Sequence, residues 1–225
     1  YAGYIAKKMG LPINKLIIAS NKNDILKRVI NSGIYKPLKV EHTMSPSMDI
    51  QIASNFERLI FDVCKLERTL KLMNDLNLNG EFKLKDEELK KIKESFCSES
   101  LSEAETKLTI SDVYKNQKLL VDPHTAVGIG AANKISLNGK TVSLATAHPG
   151  KFPLAVKEAT GIYPELPDSL KNILDKLLIL SKEKYSRYER YKSYALTLFV
   201  GIPFPGTGAW TGSLISYGIG LDKSK

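Results

Sequence analysis

The chain has 225 residues, 43% of them hydrophobic and 25% charged, which excludes a disordered polymer and allows a buried core in one or two domains. Its net charge is +9, but the lysines interleave with acids, as in Lys83-Leu84-Lys85-Asp86-Glu87-Glu88, the pattern of a solvated helix face. No nucleic-acid-binding motif and no basic stripe with interleaved aromatics occurs in the first 180 residues, so nucleic acid is not an expected partner.

Tyr1 to Gly10 reads as an amphipathic helix stopped by Gly10, and Leu11-Pro12 cannot continue it. It has no N-cap residue and no initiator methionine before it, which predicts a chain that began earlier. Leu16-Ile17-Ile18-Ala19 is a short apolar run between polar flanks, the mark of a buried parallel strand. Asn23 or Asp24 caps a helix over Ile25 to Asn31, and Gly33 ends it. Helix, strand, helix in this order is the grammar of an α/β sheet.

The loop from Thr43 to Asp49 leads into a helix with apolar residues at Ile52, Phe56, Leu59, Ile60 and Val63. Residues 65–116 read as charged and mostly helical, with a brief extended piece at Gly80 to Leu84 and a capping box at Ser102 and Glu105. Leu119 to Val121 is a candidate strand. Asp122-Pro123-His124-Thr125 opens a helix through Ala131, Thr141 to Ala145 is a second strand, and Phe152-Pro153 begins another helix.

Polar groups at the carboxyl ends of strands are candidate ligand contacts in such sheets. Two places qualify, Ala19-Ser20-Asn21 and Ala145-Thr146-Ala147-His148. A hydroxyl at Thr146 can bond a ligand ring nitrogen or cap the segment that follows. Asp122 is either a site carboxylate or ordinary turn chemistry. His42, His124 and His148 lack metal spacing and read as structural histidines. Cys64 and Cys97 have no metal spacing either and read as structural thiols. Gly128-Ile129-Gly130 lies inside a helix and lacks a third glycine, so it is not a dinucleotide loop. No catalytic residue and no metal ligand set is assigned.

Four blocks occur together in order: Ala2 to Pro12, Ser45-Pro46-Ser47-Met48-Asp49-Ile50 leading to Ser54 to Arg58, Asp122 to Gly128, and Thr146-Ala147-His148-Pro149-Gly150-Lys151-Phe152-Pro153. In these blocks the chain resembles the C-terminal portion of threonine synthases over residues 1 to about 170. The resemblance implies an α/β domain, part of a tryptophan-synthase-β-like (fold type II) pyridoxal-phosphate enzyme. It implies O-phosphohomoserine and water as substrates, threonine and phosphate as products, and a cytoplasmic location for residues 1–170. It places Thr146 as the partner of the cofactor's pyridine nitrogen. Ser45, Ser47, Asp49 and Asn55 fall among the active-site surroundings. At Gly150 the family more often has alanine. The family's phosphate loop and Schiff-base lysine precede the first of these blocks, so the chain alone is expected to be inactive.

From Ser193 to Leu221 no residue is charged, and the preceding run Lys182 to Lys192 is dense in Lys, Arg and Tyr. Residues 171–192 are therefore expected to form a basic connecting helix, and 193–225 a hydrophobic segment broken at Pro203 and Pro205. Pro203-Phe204-Pro205-Gly206-Thr207-Gly208-Ala209-Trp210-Thr211-Gly212 resembles the small multidrug export family of membrane proteins. That resemblance implies a helical tail in the inner or plasma membrane, basic run on the cytoplasmic side. On this alternative the tail is the functional part, fused to a non-catalytic synthase remnant. A buried hairpin of the soluble domain is the competing reading. The abrupt change of family is expected to reflect a fusion or a misassembled reading frame.

Overall fold

The computed structural model describes residues 1–135, 137, 139–168, 171, 172, 176 and 179. The expectations for the basic run and for the export-type tail therefore fall almost wholly outside the described residues. Among the described residues, no helix is long and apolar enough to cross a membrane.

Residues Tyr1–Pro164 form one compact unit. Its elements in chain order are α1 (Ala2–Lys8), β1 (Leu16–Ser20), α2 (Ile25–Ser32), β2 (Ile34–Tyr35), α3 (Ser54–Asn79), β3 (Phe82–Lys83), α4 (Asp86–Ser95), β4 (Phe96–Ser100), α5 (Glu103–Gln117), α6 (Pro123–Lys134) and α7 (Pro153–Thr160). Short 3-10 turns occupy Pro46–Met48 and Pro149–Lys151.

The organising pair is parallel. β1 runs beside β4 in a register from Leu16↔Phe96 to Ser20↔Ser100. The ladder continues one step further, where the Leu101 amide donates to the Ser20 carbonyl at 3.0 Å. Helices α2 and α6 pack against this ribbon. Leu16 to Ala19 are only half-buried. The full burial expected of them would need a neighbour on the second edge of β1, and among the described residues β1 pairs with β4 alone. A two-residue antiparallel ribbon joins Tyr35 to Phe82. It exists largely to hold an aromatic stack: the Tyr35 ring lies 4.8 Å from Phe82 and 5.6 Å from Phe56, nearly coplanar with both.

Local chemistry sets the helix ends. Gly33 takes a left-handed φ of 77° at the end of α2, where its amide still reaches the Val29 carbonyl at 2.8 Å. Ser102 caps α5 by accepting from the Glu105 amide, and Glu105 reaches back to the Ser102 amide at 2.8 Å. α3 is two helical pieces joined at Lys65, whose φ of 66° and ψ of 177° break the helix. Its halves bury Phe56, Leu59 and Ile60 on one side of the break and Thr69 and Leu72 on the other. Arg68 grips Glu88 of α4 with two bonds, at 2.8 and 3.1 Å.

Two clusters make the core. The larger gathers Ile25, Val29, Ile60, Leu72, Ile92 and their neighbours. Burial of each such side chain stabilises the fold by about 1.5–3 kcal/mol. The smaller joins Ile110 and Val113 of α5 to Val121 and Ala126.

Three sequence expectations are corrected. Residues 65–116 are not helical throughout, because β4 interrupts them and supplies the partner of β1. Leu119 to Val121 is extended but not a strand. Thr141 to Ala145 is likewise unpaired, with Val142 and Leu144 exposed at 83% and 74%. Both runs have strand-like composition. A strand is defined by its pairing, and neither finds a partner among the described residues.

Candidate functional site

The site is built where the start of α6 meets two loops. Asp122 precedes α6, with Pro123 in its first turn, and its carboxylate is fully buried. A buried carboxylate is tolerated only when its lone pairs are filled. Here Oδ1 accepts from the His124 amide at 2.9 Å, the Thr125 amide at 3.4 Å and the His124 Nδ1 at 2.9 Å. Oδ2 accepts from the Thr125 hydroxyl. The helix N-terminus adds its partial positive charge to the same spot.

The second nitrogen of His124 fixes the tautomer. The Ser47 amide lies 3.2 Å from Nε2 and can only donate, so Nε2 accepts and Nδ1 carries the hydrogen. The ring also packs against Phe152, 4.9 Å between centroids. His124 is thus a satisfied structural histidine, as its sequence context suggested. It pins the loop holding Ser47 to α6.

That loop is fastened by a second polar cluster at the end of β1. Asp49 Oδ1 accepts from Asn21 at 2.8 Å, Thr43 Oγ1 at 2.7 Å and Asn23 at 3.1 Å, and its Oδ2 accepts from the Thr43 amide at 2.9 Å. The Ser45 hydroxyl, fully buried, sits 2.9 Å from Asn21 Nδ2. Asn21 Nδ2 has four oxygens within reach but only two hydrogens. We take its bonds to be those to the Asp49 carboxylate and the Ser45 hydroxyl.

Thr146 arrives from the exposed 141–145 segment. Its amide donates to Thr125 Oγ1 at 3.2 Å. Its own hydroxyl has no hydrogen-bond partner among the described residues, and the residue is exposed. Ser45, Ser47, Asp49 and Thr146 are therefore brought into one neighbourhood, in contact with Asp122 and His124 or with the end of β1. Asn55 is not: it is exposed and meets only Arg58, at 3.4 Å. His148 is not either. It caps the turn after Thr146, its Nδ1 accepting from the Gly150 amide at 3.1 Å. Thr125, Asn21 and Thr43 were not singled out from sequence, although Thr125 sits three residues into the Asp-Pro helix start and Asn21 ends the β1 run.

Beside the site, Glu105 is held down to about 2 by Lys134, by the Ser102 amide and by the Ser102 hydroxyl. Burial pushes the Glu99 carboxyl up, but the Lys27 ammonium and the Ser100 amide more than offset it, leaving a net lowering. Among the described residues, no group of three His, Cys, Asp or Glu is placed to hold a metal.

The fold and this loop cluster define an α/β unit with a ligand-facing hydroxyl at the end of a carboxylate-centred network. Residues 125–192 match the family described as threonine synthase, C-terminal. The match runs through the basic stretch that precedes residue 193.

The particular relatives are all threonine synthases. The threonine synthase of Pseudomonas aeruginosa is 39% identical over 181 residues, covering 78% of this chain and 39% of that protein. The Saccharomyces cerevisiae threonine synthase is 40% identical over 200 residues, covering 76% of this chain and 39% of that protein. The crystal structure of PLP-bound threonine synthase from Brucella melitensis superposes with a TM-score of 0.73 at 46% identity, covering 75% of this chain and 37% of that chain. The chain thus spans about 39% of the length of the curated relatives it matches.

Proposed function

We propose that residues 1–170 form the C-terminal portion of a threonine synthase-type site, which takes O-phosphohomoserine and water to threonine and phosphate with pyridoxal phosphate. One observation carries this reading. The Thr146 hydroxyl is left open at the end of a network whose carboxylate, Asp122, is wholly buried. Similarity to threonine synthases, one of them solved with the cofactor bound, supports it.

The residues present suit the cofactor's pyridine end. A threonine hydroxyl is neutral and can donate to a ring nitrogen without protonating it. Pyridoxal phosphate, when bound, supplies the electron sink for the reaction. The chain's own contribution is placement. Thr146 meets the ring nitrogen, and the Asp122 network holds Thr146. The His124–Ser47 bond and the Asp49 cluster keep the neighbouring loop in a fixed shape. Asp122 spends all its lone pairs on positioning, which leaves it no part as an acid or base.

The test is to assemble the chain with the upstream segment of the Pseudomonas aeruginosa enzyme and to measure phosphate release from O-phosphohomoserine. Release that depends on both pieces and falls about tenfold or more in Thr146→Val, the loss of one hydrogen bond to a ring nitrogen, is expected. Full activity in Thr146→Val would remove Thr146 from the reading.

A further inference from the structure

We propose that Thr125 and Asp122 are positioning residues for Thr146, with the direction of each hydrogen bond fixed by the buried carboxylate. The argument begins at Asp122, which is 0% exposed and accepts only. The Thr125 hydroxyl beside it must therefore donate to Oδ2. A hydroxyl that has spent its one hydrogen can only accept from any further neighbour. That neighbour is the Thr146 amide, 3.2 Å away. The relay has a single sense, from Thr146 through Thr125 to Asp122.

This matters because nothing else in the described structure holds the segment. Residues 141–146 are all exposed and pair with no strand among the described residues. The bond to Thr125 is the attachment that sets where Thr146 stands relative to α6. The same carboxylate accepts from the His124 ring, whose other nitrogen receives the Ser47 amide. Asp122 therefore holds Thr146 on one side and the Ser47 loop on the other, and fixes the distance between them. The functional meaning rests on the reading of Thr146 as a ring-nitrogen partner, but the relay itself stands on geometry.

The test is amide hydrogen exchange at Thr146 in the full chain, in wild type, Thr125→Ser and Thr125→Val. Loss of one hydrogen bond of ordinary net strength speeds exchange about tenfold. Expected is a protected Thr146 amide in wild type and Thr125→Ser, about tenfold faster exchange in Thr125→Val, and no change at Leu101, whose amide bonds to Ser20. Equal Thr146 exchange in wild type and Thr125→Val overturns the proposal. So does equal acceleration in the Ser and Val variants, because the hydroxyl would then not be the cause. If Thr125→Val does not fold, Asp122→Asn decides. Asparagine still caps a helix, but its amide can donate to Thr125 and free that hydroxyl to turn. Faster Thr146 exchange supports the relay and an unchanged rate overturns it. The cofactor reading fails by a separate sign. If the ring-nitrogen resonance of added 15N-labelled pyridoxal phosphate is the same in wild type and Thr146→Val, that reading falls while the exchange result stands.

Discussion

Gly130 is the position where a single methyl group should cost the most. It lies on α6 where that helix crosses α5 and the end of the parallel ribbon. A Cβ built there would stand 2.2 Å from Leu101 Cδ2 and 2.8 Å from Thr109 Oγ1. Leu101 is 2% exposed and has no room to withdraw. Helix propensity favours alanine over glycine by about 1 kcal/mol. Overpacking an enclosed core costs about 1–3 kcal/mol, and a 2.2 Å overlap with a buried side chain belongs at the upper end. The difference predicts that Gly130→Ala destabilises the domain by about 1–2 kcal/mol, or a Tm lower by roughly 2–8 °C in a unit of this size. Thermal unfolding followed by circular dichroism measures this, with Gly128→Ala as the control. There a Cβ meets only the Ser143 hydroxyl, at 3.0 Å, on an exposed residue that can turn away. Gly128→Ala should be neutral or more stable by up to about 1 kcal/mol. A Gly130→Ala protein as stable as wild type, or the reverse order of the two variants, would refute the close approach of α5 and α6.

Acid should weaken the same contact. Glu105 is held down to about 2 when folded, first by Lys134 and then by Ser102, against an ordinary value of 4.5. Its folded value is the lower one, so its stabilisation is present above about pH 4.5 and fades as the pH falls toward about 2. Glu105→Gln should flatten that part of the pH–stability profile, and salt should shrink the effect, because the pair is solvent-exposed. Identical urea midpoints against pH in the two proteins would contradict this. Tyr35→Phe should keep the stack on Phe82 and Phe56 but strip the buried Ala53 amide of its 2.9 Å acceptor, costing about 1–3 kcal/mol. A lowered urea midpoint with an unchanged slope is the expected outcome, and a wild-type midpoint the refuting one.

The punctuation of this fold was legible because it is local. Gly33, Ser102 with Glu105, and Asp122-Pro123 each act within one turn of chain, and each does what its residue type predicts. What needed distant partners was not legible. Phe96-Cys97-Ser98-Glu99-Ser100 follows directly on the charged helix α4 and alternates without a strong apolar face, so it read as more helix. It is a strand because β1 lies beside it. Thr141-Val142-Ser143-Leu144-Ala145 shows the converse, strand-like composition without a pairing. At the site the resemblance pointed to Thr146, and the choice between site carboxylate and turn chemistry for Asp122 could not be made. Both descriptions turn out to hold, since the cap and the anchor of Thr146 are one carboxylate. Thr125 was passed over because its importance lies in which way its hydrogen points, and that is set by a contact between residues 21 positions apart.

The register of β1 on β4 has a kinetic consequence. Its partners are 80 residues apart in the chain, so every rung is a long-range contact. Closing a loop of that length costs about 2 kcal/mol more than closing one of ten residues, three doublings at roughly 0.6 kcal/mol each. The intervening chain carries α2, α3 and α4, and the contacts of α2 and α4 with β4 can form only once the loop is drawn in. The parallel ribbon is thus a high-contact-order element that condenses onto helices already shaped. The rate at which this domain folds is governed by how soon residues 16 and 96 meet, more than by the speed of any helix between them.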